Sequence, residues 1–304
     1  RNLLGLAKCS LIFINRSQVR DAISTAGLTT EACPTCLLVD TTCYNSTHLL
    51  DLEAPFRERV VIHKLGLLRS KNILYFSFEP TLEDIEYYKT GFVNLDRPND
   101  TGIITSNQIL NFGTFDIDQD SNMIYFGGSD GIFVLDTNNN IMSSYSSRGD
   151  RITNLFYKNN VYFTRYEDKD VKGVVVKIGD YFKSSLKDIS VKKFVINKMG
   201  VYVYLNSTGL FVSKGDEVKR ISINAFFRGI TIDLDDNVYA WWVDGIYKVI
   251  IDKVLDGSRI VRVAELPGIG GMAFDNDNNM LILHKKSLYR LSPAVGCGTI
   301  EPVI

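Results

Sequence analysis

The chain has 304 residues, of which 45% are hydrophobic and 23% charged, with a formal net charge of −1. Such values suit one folded domain with ample apolar core. Near-neutral, interspersed charge argues against nucleic acid or an anionic membrane as partner, and no apolar run is long enough for a membrane-spanning helix.

Residues 1–32 read as an N-terminal extension. Leu3–Ile14 is apolar but contains Lys8 and Cys9, and no small-residue cleavage site follows it. The next stretch, ACPTCLLVDTTCYNSTHLLDLEAP, carries Cys33, Cys36 and Cys43 and two strand-like pieces, 37–40 and 48–53. Cys33-Pro-Thr-Cys36 has redox-motif spacing, yet a strand-like run follows it where such motifs open a helix. Zinc would need a second ligand pair. Structural disulfides are the better reading. With the sequons at Asn15, Asn45, Asn99 and Asn206, they point to an oxidising, secretory compartment. Glycosylation is expected at Asn45, Asn99 and Asn206.

From about residue 60 onward the chain repeats itself. The clearest copy is GITIDLDDNVYAWWVDGIYKVIID (229–252): alternating strand, Asp/Asn turn, strand, Gly turn, strand. Related copies begin near residues 64, 114, 152, 192 and 271, with turns at Asn72, Asn122, Asn160, Gly200, Asn237 and Asn279. The period is roughly 40 residues, that of a four-stranded propeller blade. A β-sandwich has no reason to repeat at that interval. The fold class is therefore all-β, a six-bladed β-propeller over residues 33–304.

The last copy stops at Pro293 after its third strand, and an open sheet edge has to be covered. An N-terminal strand completing that blade closes the ring. Cys297 lies just beyond, and pairing with Cys33, Cys36 or Cys43 would lock the closure.

Blade geometry places the starts of the first strands, and the loops between second and third strands, on one face. The rim then holds His63, Gly113, Arg151, Val191, Arg228 and Gly270. One residue of register freedom adds Lys64, Phe112, Lys192 and Phe227. Two longer connections, 79–90 and 166–172, border the same mouth. Cations and aromatics there suit an anionic, partly aromatic ligand. The competing reading is ordinary solvated Arg and Lys at loop starts. Trp241 and Trp242 must point to opposite strand faces, and as the only two tryptophans they are candidate aromatic platforms. The recurrent second-strand tyrosines suit packing between blades. The candidate ligand-binding set is His63, Phe112, Arg151, Lys192, Phe227, Arg228, Trp241 and Trp242.

No catalytic residue or metal site is assigned. The P-loop, G-x-S-x-G and H-E-x-x-H patterns are missing, and the three histidines are scattered. Asp116-x-Asp118-x-Asp120 starts like a calcium loop, but Ser121 and Gly127 stand where Gly and Glu are required. Asp116, Asp233 and Asp275 on first strands either face the tunnel, as calcium ligands do in propeller lactonases, or cap turns.

The Cys-containing strand pair leading into HLLDLEAPFRERVVIHKL, with KNILYFSFEP, FDIDQDSNMIYFGGSDGIFVLD and the 229–252 copy, resembles the secreted ommochrome-binding proteins of moths and butterflies. The resemblance spans residues 33–304. It implies a secreted haemolymph protein, not an enzyme, that carries a planar, carboxylated phenoxazinone such as xanthommatin. It implies no cofactor beyond that pigment, with neither nucleic acid nor membrane as partner. A calcium-dependent lactonase and a protein-binding scaffold are the alternative functions.

Overall fold

The computed structural model describes residues 36–52, 61–79, 88–104, 111–167 and 170–294. Two strands, β1 (Leu37–Val39) and β2 (Thr42–Asp51), precede the repeats. Blade one is β3 (Val61–Leu68), β4 (Ile73–Glu79), β5 (Lys89–Asn94) and β6 (Thr101–Ile103). Blade two is β7 (Phe112–Asp118), β8 (Met123–Gly128), β9 (Gly131–Asp136) and β10 (Ile141–Ser146). Blade three is β11 (Ile152–Lys158), β12 (Asn160–Glu167), β13 (Asp170–Ile178) and β14 (Tyr181–Ser190). Blade four is β15 (Lys193–Ile196), β16 (Tyr202–Asn206), β17 (Gly209–Lys214) and β18 (Glu217–Ser222). Blade five is β19 (Gly229–Ile232), β20 (Val238–Trp242), β21 (Gly245–Ile250) and β22 (Arg259–Glu265). Blade six starts with β23 (Ile269–Phe274), β24 (Met280–His284) and β25 (Ser287–Pro293).

Each blade is an antiparallel meander, and the six form a β-propeller. The turn between first and second strands needs a left-handed residue, so Asn, Asp or Gly recurs there. Positive φ is found at Asn72, Asn122, Asn159, Gly200, Asp236 and Asn278. Acids at the strand ends fix these turns. Asp233 Oδ1 accepts from the Asp235 and Asn237 amides, and Asp275 Oδ1 from those of Asp277 and Asn279.

The first strands contact one another in sequence, β3 to β7, β11, β15, β19, β23 and back to β3. They line the axis. Apolar side chains fill the wedges between neighbouring blades in six clusters, one per boundary among the described residues. Repeated tyrosines contribute where expected. Tyr75 meets Phe115 of the next blade at 6.4 Å, Tyr125 stacks on Tyr157 at 5.4 Å, and Tyr239 meets Phe274 at 5.5 Å.

Closure follows the expected route. β2 pairs with β25 from Tyr44↔Pro293 to Asp51↔Ser287, and β1 adds a fifth strand outside it. Two of the three candidate partners of Cys297 are taken. Cys36 is bonded to Cys43 within the β1–β2 hairpin, so neither is available to Cys297. A two-residue turn at Asp40 and Thr41 brings the two cysteines together locally. Cys33 and Cys297 lie outside the described residues, as do the extension 1–32 and Asn15. Asn45 and Asn99 are exposed, and Asn206 is half-buried with its amide oxygen accepting from Thr208.

Candidate functional site

A cavity of about 510 Å³ follows the axis, lined by residues from all six first strands. At its mouth His63 bonds Glu79 Oε1 at 2.7 Å and meets the Tyr88 ring edge-on at 4.8 Å. Arg151 lies over the Tyr166 ring at 4.8 Å. Both tyrosines adjoin the connections expected to border the mouth, and residues 80–87 and 168–169 of those connections lie outside the described residues. Lys192 is an exposed lining residue beside them.

Further in, charge is arranged on three first strands. Lys64 Nζ donates to Leu155 O at 2.9 Å and pairs with Asp116 Oδ1 at 3.3 Å. Asp116 Oδ2 also accepts from the Tyr157 amide at 2.6 Å. Asn154 lines the same wall, its amide donating to Lys192 O. Lys193 joins them from β15. Burial, reinforced by the Lys64 charge, pushes its ammonium down to about 8. Burial and a hydrogen bond to Asp118 hold the Tyr157 phenol well above its ordinary range, so it stays neutral.

Of the eight candidate residues, His63, Arg151, Lys192 and Trp241 line the cavity. The structure does not bring the other four to it. Phe112 is 3% exposed and packs on Phe126 and Phe133. Phe227 packs edge-on against Tyr247 inside blade five. Arg228 reaches sideways, Nη1 donating to Ile269 O at 3.2 Å. Trp242 leans on exposed Phe226, with ring centroids 5.8 Å apart. The paired tryptophans thus divide between the two faces. Trp241 has room only because Gly229 opposite it has no side chain; a Cβ there would collide with the indole. Its buried Nε1 has no hydrogen-bond partner among the described residues.

For Phe112 the cause is local to its strand pair; blade five, which carries Phe227, Arg228 and Trp242, pairs β19 with β20 without a slip. Inner-strand pairing slips by one residue at Ile62/Lys64, Phe112/Thr114, Ile152/Asn154 and Ile269/Gly271. A bulge near the mouth reverses the alternation counted from the turn. Phe112 therefore faces the core. Lys193 lay one residue beyond the rim set, and no pattern other than a cation opening an apolar strand marks it.

No family model matches the sequence. The chain is similar to the ommochrome-binding protein of Manduca sexta, 23% identical over 245 residues, covering 77% of this chain and 85% of that protein. Solved structures share the fold at lower identity. A gluconolactonase from Xanthomonas campestris superposes with a TM-score of 0.61 at 10% identity, over 90% of this chain and 99% of that one. Regucalcin from Agrobacterium tumefaciens, a calcium-binding protein, gives 0.56 at 14% identity, over 80% and 98%. Virginiamycin B lyase from Staphylococcus aureus gives 0.55 at 8% identity, over 83% and 100%.

These likenesses correct one expectation. The sequence reading excluded an enzyme, and that exclusion is withdrawn, since propellers named for catalysis match along nearly their whole length. Asp233 and Asp275 do not face the axis as ligands; both carboxylate oxygens serve the turns. Asp116 does line the cavity, but it holds Lys64 and the Tyr157 amide. Among the described residues no three His, Cys, Asp or Glu side chains gather into a metal site. The residues present do not fit a calcium ion in the tunnel. Nor is any described helix long and apolar enough to cross a membrane.

Proposed function

We propose that the axial cavity binds a small, planar, carboxylated aromatic molecule of the ommochrome class, carried outside the cell. The observation that supports this most is the lining itself. Cationic Arg151, Lys192, Lys64 and Lys193 share it with Tyr88, Tyr166 and Trp241, which combines charge for acid groups with faces for a ring system. The distant likeness to an ommochrome-binding protein supports the same ligand class. The hairpin disulfide suits an oxidising compartment. The test is titration of purified protein with xanthommatin. Binding should shift the pigment's visible absorption and quench Trp241, and Trp241→Phe or Arg151→Ala should weaken it at least fivefold.

A second reading is hydrolysis of a lactone or ester in the same cavity, favoured by the fold shared with a gluconolactonase. Its product is a carboxylate, so the cationic lining serves it too. Turnover of δ-gluconolactone above the buffer rate, lost in Lys64→Met, would establish it.

A further inference from the structure

Lys193 pairs with Leu205 through its backbone, but among the described residues its side chain makes no contact that holds the fold together. It opens β15, lines the cavity, and among the described residues its ammonium has neither a hydrogen-bond acceptor nor an ion-pair partner. Lys64 differs: it is paired with Asp116 and anchored on Leu155 O. Among the described residues the Lys193 ammonium is therefore a positive charge in the cavity without a compensating anion.

A partly desolvated ammonium is costly to keep without an anion. The surroundings do not supply one. Lys64 faces it from β3, Asp116 on β7 is already spent on Lys64, and Tyr157 on β11 stays neutral. Neighbouring β16 offers only the phenols of Tyr202 and Tyr204, and β19 (GITI) offers no titratable group. At the mouth Lys192 and Arg151 add positive charge. Every charge within reach pushes Lys193 toward an anionic guest.

We propose that Lys193, seconded by Lys64, is the anchor for one carboxylate of the bound molecule, its ring lying outward toward Tyr88, Tyr166 and Trp241. This deepens the small-molecule reading above and rests on it. The lowered lysine makes the anchor sensitive to pH. Below about 8 the ammonium is charged and holds the anion. Above that value it discharges, and affinity for a carboxylate falls while affinity for a neutral analogue does not.

The experiment compares quinoline-2-carboxylate with quinoline-2-carboxamide by calorimetry between about pH 6.5 and 9.5. Acetate-induced shifts in thermal midpoint are measured alongside. The proteins are wild type, Lys193→Met, Lys193→Arg and, as an outer-strand control, Lys219→Met. Wild type and Lys219→Met should prefer the carboxylate about tenfold at pH 7, with the preference fading above pH 8. Lys193→Met should lose the preference but keep carboxamide binding, and Lys193→Arg should restore it without the fade. Equal binding of both probes to wild type, or an unchanged preference in Lys193→Met, overturns the anchor and leaves the aromatic site standing. Stabilisation of wild type but not Lys193→Met by acetate, with neither quinoline bound, keeps the anchor and removes the aromatic site. No response to any probe removes both.

Discussion

Lys64 Nζ stands 3.3 Å from Asp116 Oδ1, joining the first strands of blades one and two, while the same ammonium donates to Leu155 O in blade three. One side chain thus ties three consecutive strands around the axis. The pair is 30% and 22% exposed, so solvent screens it only in part. Lys64→Met strands the Leu155 carbonyl and half of the Asp116 carboxylate. A loss of about 1–3 kcal/mol is expected in urea unfolding, together with weaker carboxylate binding. A midpoint equal to wild type would show that the contact is not formed in solution.

Lys193→Met should do the opposite to stability. The native state lowers this lysine from 10.5 to about 8, so between those values the unfolded chain binds more protons. Stability contributed by the group therefore rises with pH across that window. At pH 7 its charge is a native-state cost, and the variant should gain about 1–2 kcal/mol, less than the whole shift because the cavity admits water. Thermal melts at pH 7 and near pH 10.5 check this, with the gain shrinking at the higher value. A residue that weakens the fold where it lies fits a role in holding a ligand.

Gly229→Ala tests the seat of Trp241. The added methyl collides with the indole, whereas at Gly270 it would meet Leu283 at an ordinary 3.4 Å. About 1–3 kcal/mol of destabilisation is expected at Gly229 and little at Gly270. The Trp241 emission should shift with it, and xanthommatin should bind less tightly.

How the sequence divided between legible and hidden follows from the same geometry. Turn residues such as Asn72 and Gly200 must adopt positive φ, so their chemistry announces each blade and the ring follows from the count. Asp233 and Asp275 were open between ligand and cap, and their hydrogen bonds make them caps. Side-chain direction was harder. It alternates with every residue, and a one-residue slip turns it over. The bulge at Phe112/Thr114 sends Phe112 inward to Phe126, and nothing in the local composition marks it. The inner pair of blade four runs without such a slip, and Lys193 is not singled out in the sequence because it follows exposed Lys192 directly. The Cys36–Cys43 bond was hidden because both cysteines also stood as candidate partners for Cys297.

Cys43→Ser should loosen the hairpin while leaving β2 on β25. The bridged residues are 7 apart, and loop-closure entropy for so short a ring predicts a loss of about 2 kcal/mol. The midpoint should fall by the same amount when wild type is reduced. No change in either would place the hairpin outside the cooperative unit.

The register from Tyr44↔Pro293 to Asp51↔Ser287 bears on how the molecule is made. On the ribosome β2 emerges before the six repeats and its partner β25 after them, so the edge of β2 that receives β25 stays bare while all the intervening strands are made. Contacts of such sequence separation fold slowly and expose the nascent chain to mispairing. A cell making this protein has to guard an unfinished circle until that closing strand arrives.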